Sequence, residues 1–301
     1  GENEIQKWGL TDYVGAVTDG TYGAVGLDFK SPHTGLAAKK VWFFFDKTYV
    51  CLGTDISSRM KNQVLTTVNQ CLLNGQVTVS DADGIHPQER GSRMKKGVRW
   101  VVHDRVGYYF LNKENVILSN QRTEGSWKIA NRQTTTPTDI IQQDVFTLSV
   151  DHGSYPNNEG YAYMVVPSAD PLSIEKQVEE EGVVVLANCP DVQAVRHDGL
   201  NMAYAVFYKG GTLRIHDKIV VEMDAPGMLM VKYNDAGEIL TLGVSDPTRF
   251  MKKLHLSVNQ RIVGTAQENI QTEWDGKQAL TRISVDLPQN EYAGKSVIYN
   301  K

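Results

Sequence analysis

The chain has 301 residues, of which 41% are hydrophobic and 22% charged. That is enough apolar matter for packed cores in about two domains, and it argues against disorder. The formal net charge of -4 excludes a whole-protein electrostatic grip on nucleic acid, so no nucleic-acid partner is expected and any basic site must be local.

No apolar run approaches the roughly 18 residues of a membrane span, so none is expected. The opening GENEIQKWGL carries neither a basic n-region nor an apolar h-region, so no signal peptide is expected in this chain.

The segment DYVGAVTDGTYGAVGLDF comes first. Its glycines do not form a GxGxxG that follows a strand and opens a helix, and no P-loop motif occurs. They are expected where two sheets, or a sheet and another domain, approach closely. VWFFFDKTYVCLG, from Val41 to Gly53, reads as a hairpin that turns at Asp46 and Lys47. Period-two alternation puts Phe43 and Phe45 on one face and Trp42 and Phe44 on the other. All four are large and apolar, so both faces are expected to be covered, with Phe44 in the core.

LTTVNQCLL, VRWVVHDRVGYYF, VFTLSVDHG and YAYMVV follow, each bounded by turn residues. PLSIEKQVEEE, from Pro171 to Glu181, is the best helix candidate, with Ser173 as its cap. Residues 167–181 are read as the joint between two β domains, 1–170 and 171–301.

Strand-like runs resume with GVVVLAN, VQAVRHD, AYAVFYKGG, TLRIHDKIVVEMD, GMLMVKYNDAGEILTLGVSD, HLSVNQRIVG, ALTRISVDLP and SVIYNK. YNDAG and YKGG look like hairpin turns. The cadence predicts an all-β protein made of antiparallel sandwiches.

The three cysteines, Cys51, Cys71 and Cys189, form no CxxC pair and signal neither zinc nor a disulfide framework. Cys51 and Cys71 stand in apolar contexts and are expected to be buried, inert thiols. The seven histidines are scattered, without HExxH. His103 and His152 end strand-like runs and are read as structural, hydrogen-bonded groups.

The densest basic stretch runs from Arg90 to Arg99. Arg90, Arg93, Lys95 and Lys96 are its candidate substrate-binding residues, because such cations meet carboxylates or sulfates. The plainer reading is a solvated loop that keeps an edge soluble. No catalytic residue, metal ligand or cofactor is indicated.

Several segments together resemble one family. They are WG…DYVGAVTDGTYG, FKSPHTGLAAKKVWFFFDKTYVCLGTDI, TTVNQCLLNG, HDRVGYYF, VLANCPDVQAVRHD, AVFYKGGTL and LPQNEYAGKSVIYNK. They are similar to the chondroitin AC lyase and hyaluronate lyase family, polysaccharide lyase family eight, over essentially the whole chain.

The resemblance implies an N-terminal α/α toroid, a large central antiparallel β-sandwich and a smaller C-terminal β-sandwich. This chain resembles the later part of the central sandwich and all of the last domain. It also implies β-elimination on an acidic polysaccharide, a glycosaminoglycan of the chondroitin sulfate or hyaluronan type, by a secreted or periplasmic parent. The family's catalytic Asn, His, Tyr, Arg and Glu belong upstream, so this chain alone is expected to be inactive. A stand-alone carbohydrate-binding or structural β-sandwich module is the competing expectation. Exposed aromatic rings placed to stack on sugars would favour it.

Overall fold

The structure, a computed structural model, describes residues 9–131, 133–262 and 268–301. Trp8 of the WG pair, and the opening segment read for an export signal, lie outside the described residues.

Strands dominate. In chain order come β1 (Val14–Thr18), β2 (Gly23–Lys30), β3 (Ala37–Phe44), β4 (Tyr49–Ser57), β5 (Gln63–Leu72), β6 (Val77–Asp81), β7 (Gly84–Pro87), β8 (Ser92–His103) and β9 (Val106–Gly125). A single helical turn, α1 (Trp127–Ala130), separates β9 from β10 (Ile141–Ser154) and β11 (Glu159–Pro167). Helix α2 (Ile174–Glu181) precedes β12 (Val183–Cys189), β13 (Val192–His197), β14 (Met202–Phe207), β15 (Gly211–His216), β16 (Ile219–Met223) and β17 (Gly227–Tyr233). The chain closes with β18 (Ile239–Ser245), β19 (Lys253–Val258), β20 (Ile270–Asp275), β21 (Leu280–Asp286) and β22 (Val297–Asn300). The ladders between them are antiparallel. The all-β reading therefore holds. Among the described residues no helix is long and apolar enough to cross a membrane.

The described residues form two compact units. The first takes residues 9–60, 156–162 and the described part of 175–301. Its six-stranded sheet runs β12-β13-β14-β17-β18-β22, and its five-stranded sheet runs β15-β16-β19-β21-β20. Ala205, Phe207, Leu229 and Val231 of the six-stranded sheet share one core with Val221, Leu256 and Ile283 of the five-stranded sheet.

The alternate residues of the six-stranded sheet, Tyr204, Val206, Met228 and Met230, are also buried. They face the layer built by β1 to β4. The Phe43 and Tyr204 rings stack with centroids 5.8 Å apart, and the Tyr13 hydroxyl donates to the Phe207 carbonyl at 2.9 Å. MAYAVF and GMLMV therefore read as continuous apolar runs because both faces of their sheet are covered.

The glycines of β1 and β2 stand where this packing is closest, as expected from the sequence. A Cβ at Gly15 would lie 2.8 Å from the Pro247 Cα, and one at Gly26 would lie 3.1 Å from a Val206 methyl.

Two expectations fail in this unit. Phe43 is fully buried, but Phe44 on the opposite face of β3 is 42% exposed, covered in part by Tyr49 at 5.7 Å. Its side chain emerges beside the turn, where the sheet ends. YKGG is not a hairpin: it carries the chain from β14 in one sheet to β15 in the other. YNDAG is one, joining β17 to β18 with Gly237 at φ 76°.

The second unit takes residues 61–155 and 163–174. Its axis is the twenty-residue β9. The start of β9 pairs with the end of β8 and with Tyr163–Pro167 of β11. Its later part pairs with β10, which in turn pairs with β5. Trp100, Phe110, Leu118, Phe146, Leu148 and Met164 are fully buried here.

β8 and β9 join through Asp104 and Arg105, at φ 48° and 63°, the two-residue geometry that follows the twist of a hairpin. Ahead of α2, Asp170 rather than Ser173 holds the turn: its carboxylate accepts from the Leu172 amide at 2.8 Å, and its carbonyl accepts from the Ile174 amide.

Candidate functional site

The basic stretch is the densest run of positive charge in the sequence. The structure puts it largely on a strand, not on a loop: Arg93, Lys95 and Lys96 belong to β8, and only Arg90 lies before it. Two glycines explain the misreading. Gly91 at φ 130° lets the chain enter the strand, and Gly97 at φ 61° makes the irregularity that shifts register between Lys95 and Val98. Lysine and glycine in sequence mimic a turn, whereas the ladder to β9 continues on both sides.

Most of this charge is answered inside the unit. Arg90 donates to Asp144 and to the Asn120 carbonyl, each at 3.0 Å. Arg93 meets Glu89 at 2.7 Å. Lys95 meets Asp81 at 3.1 Å, and Asp81 also accepts from the Asp83 amide and lies 3.1 Å from His86 Nε2. The Asp81 side chain is only 7% exposed. Burial alone would raise its pKa, but the hydrogen bonds from Asp83, His86 and Lys95 outweigh it and hold the carboxyl below its usual range. Lys96 is exposed and makes no ion pair among the described residues. Among the described residues, Arg90, Arg93 and Lys95 are each answered by a carboxylate, whereas Lys96 is exposed.

The titratable groups read as structural are so. His103 Nε2 accepts the Asn74 amide at 3.0 Å, and its ring stacks on Phe146 at 4.3 Å. Burial lowers its pKa against the opposing pull of Asp104, which favours the neutral ring. His152 lies 2.8 Å from the Thr66 hydroxyl. Cys51 is buried as expected, but Cys71 is only partly so, because β5 exposes alternate residues. Burial still pushes its thiol pKa up, which keeps it unreactive. Among the described residues no group of three His, Cys, Asp or Glu is arranged to hold a metal ion.

Two features escaped the sequence. One is an open groove of about 550 Å³ on the outer face of the five-stranded sheet, lined by Glu222, Asp224, His255, Glu273 and Arg282 among others. Its carboxylates disfavour a polyanion. The other is the end of the β9–β10 hairpin, where Trp127 is 62% exposed.

Residues 2–178 match polysaccharide lyase family 8, super-sandwich domain, and residues 184–255 match polysaccharide lyase family 8, C-terminal beta-sandwich domain. The chain belongs to polysaccharide lyase family 8. Among family members, the Chondroitinase-AC of Pedobacter heparinus is 36% identical over 291 residues, covering 96% of this chain and 38% of that protein. The Xanthan lyase of Bacillus sp. (strain GL1) is 28% identical, covering 76% of this chain and 25% of that protein. A solved chondroitinase AC lyase, studied as enzyme–oligosaccharide complexes, superposes with a TM-score of 0.81 at 35% identity, over 96% of this chain and 40% of its own. This family 8 chain thus spans well under half the length of the relatives it matches.

Proposed function

We propose that this chain is the β-sandwich portion of a polysaccharide lyase that cleaves acidic glycosaminoglycans of the chondroitin sulfate or hyaluronan type by β-elimination. The observation that carries the reading is the family match. The likeness to Chondroitinase-AC covers nearly all of this chain but only 38% of that protein. The parent is proposed to carry an α/α toroid N-terminal to this chain, to act outside the cytoplasm where such polymers occur, and to divide here into 1–170, the later central sandwich, and 171–301, the C-terminal sandwich.

Elimination removes the proton α to a uronate carboxylate, so it needs a base, a neutraliser for that carboxylate and an acid for the leaving oxygen. Asp81 of β6 is tied to Lys95, Asp144 of β10 is tied to Arg90, and His103 uses its Nε2 lone pair on the Asn74 amide. These facts support a scaffold role, with the acid–base groups on other parts of the parent. Arg90, Arg93, Lys95 and Lys96 are proposed to add only a weak, screened attraction for the polyanion.

The test is an ultraviolet assay for unsaturated uronate with the product of the reading frame continuous with this chain. Steady elimination of chondroitin sulfate or hyaluronan is expected. No product from chondroitin sulfate, hyaluronan or xanthan would refute the reading.

A further inference from the structure

The register of β1 to β4 gives this layer two faces. Val17, Ala24, Phe43 and Val50 share the inner face, toward the six-stranded sheet, and are fully buried. On the outer face Val14 pairs across with Leu27 and Leu27 with Lys40, while Ala16 pairs with Val25 and Val25 with Trp42. Phe29 and Phe44 extend this face along the strands.

Val14 is 56% exposed, Phe44 42%, and Val25 and Phe29 37% each. A sheet face turned to water carries polar residues. Here Lys40 is the one charged side chain among these outward positions, and the others are apolar.

Lys40 is itself anomalous. It is half-buried, and among the described residues its ammonium makes no hydrogen bond or ion pair. Burial lowers its pKa, against the opposing pull of Cys51. An ammonium withdrawn from water without a carboxylate is costly. The adjacent Lys39, on the inner face, shows the usual remedy: it meets Asp55 at 3.1 Å.

We propose that the outer face of β1–β3 seats the portion of the parent N-terminal to this chain, and that a carboxylate of that portion pairs with Lys40 inside an otherwise apolar contact. The proposal rests on the reading that this chain is part of a longer family 8 lyase. Three observations choose the occupant. The likeness to Chondroitinase-AC covers 38% of that protein, so a parent of this kind has ample chain to form the cover. Aliphatic Val14, Ala16, Val25 and Leu27 separate the rings, so the face gives a pyranose no continuous aromatic platform. A second copy fits poorly too. A two-fold contact uses the same patch twice, and the outward positions of β1–β3 hold no carboxylate for the other copy's Lys40.

The test compares this chain with the parent, the product of the continuous reading frame. Lys40 is acetylated with acetic anhydride and its peptide followed by mass spectrometry. Labelling is expected to be roughly tenfold or more slower in the parent, where the face opens only by local unfolding. Lys40→Met is expected to act with opposite sign in the two proteins. In this chain it removes a half-buried cation that has no partner, and the thermal midpoint should rise. In the parent it strands the carboxylate, and the midpoint should fall.

Equal labelling rates overturn the proposal. So does a parent whose midpoint rises or stays unchanged with Lys40→Met. Sedimentation of this chain gives the remaining arm: a dimer in which Lys40 is protected as strongly as in the parent makes the occupant a second copy, and the proposal falls. None of these readouts needs turnover. An open face in an active parent defeats this proposal alone, and a protected face in a parent that eliminates nothing defeats the functional reading alone.

Discussion

Phe43 and Phe44 are adjacent in sequence and opposite in fate, so truncating each tests the packing of the first unit. Phe43 has no exposed surface and stacks on Tyr204. Phe43→Ala removes a buried ring between two sheets and is expected to cost about 3–5 kcal/mol. The ring contact with Tyr204 accounts for about 0.5–1.5 kcal/mol of that loss. Phe44 is 42% exposed, and Phe44→Ala is expected to cost less than about 1 kcal/mol. The measurement is urea unfolding of the three proteins at matched slope. With a slope of about 2–3 kcal/mol/M, Phe43→Ala should move the midpoint by about 1–2.5 M and Phe44→Ala by under about 0.5 M. Equal shifts would refute the assignment of the core face. So would a loss under about 1 kcal/mol for Phe43→Ala.

Three further outcomes follow from particular contacts. A Cβ at Gly53 would lie 2.1 Å from the Tyr161 ring, so Gly53→Ala should destabilise by about 1–3 kcal/mol or more. Tyr161→Ala in the same chain should cost less than the sum of the two single changes, read by thermal unfolding in a double-mutant cycle. His103 has a lowered pKa in the fold because burial disfavours its charge, so the unfolded chain takes up its proton first. Stability should therefore fall as pH drops below about 6.5. His103→Gln should flatten that slope in unfolding curves taken from neutral to mildly acid pH, and an unchanged slope would contradict the assignment. In the parent enzyme, Arg93→Ala with Lys96→Ala should raise the KM for chondroitin sulfate at low salt and leave it unaltered at high salt. An unchanged KM at low salt would show that the strand is merely solvated.

Much of the fold is legible where local signals and the long-range partner agree. The hairpin from Val41 to Gly53 has β-rich flanks and a polar turn, and it forms as β3 and β4. Helix α2 follows from its Pro and acidic residues, although its capping turn belongs to Asp170.

Failures arise where the deciding partner is remote. Alternation separates Phe43 from Phe44, but whether the second face is covered depends on layers the strand does not encode. YNDAG and YKGG look alike, yet Gly237 closes a hairpin while Gly210 sits against the Asp224 backbone, where a Cβ would lie 2.7 Å from its carbonyl oxygen. The basic stretch looked free because strand pairing, not local spacing, brings Asp81 to Lys95 and Asp144 to Arg90. The hairpin end carrying Trp127 was missed because its flanks, NQRTEG and IIQQD, are polar and carry no burial pattern.

The central proposal is that this family 8 chain serves as a scaffold and contributes no complete elimination chemistry. The direct measurement is the ultraviolet assay for unsaturated uronate with the purified chain alone, on chondroitin sulfate and hyaluronan. No product is expected above the uncatalysed background, because positioning and electrostatic stabilisation act as a unit and fail together when the set is incomplete. Steady product formation, abolished by a single substitution within residues 9–301, would contradict the account and place an active site inside these sheets.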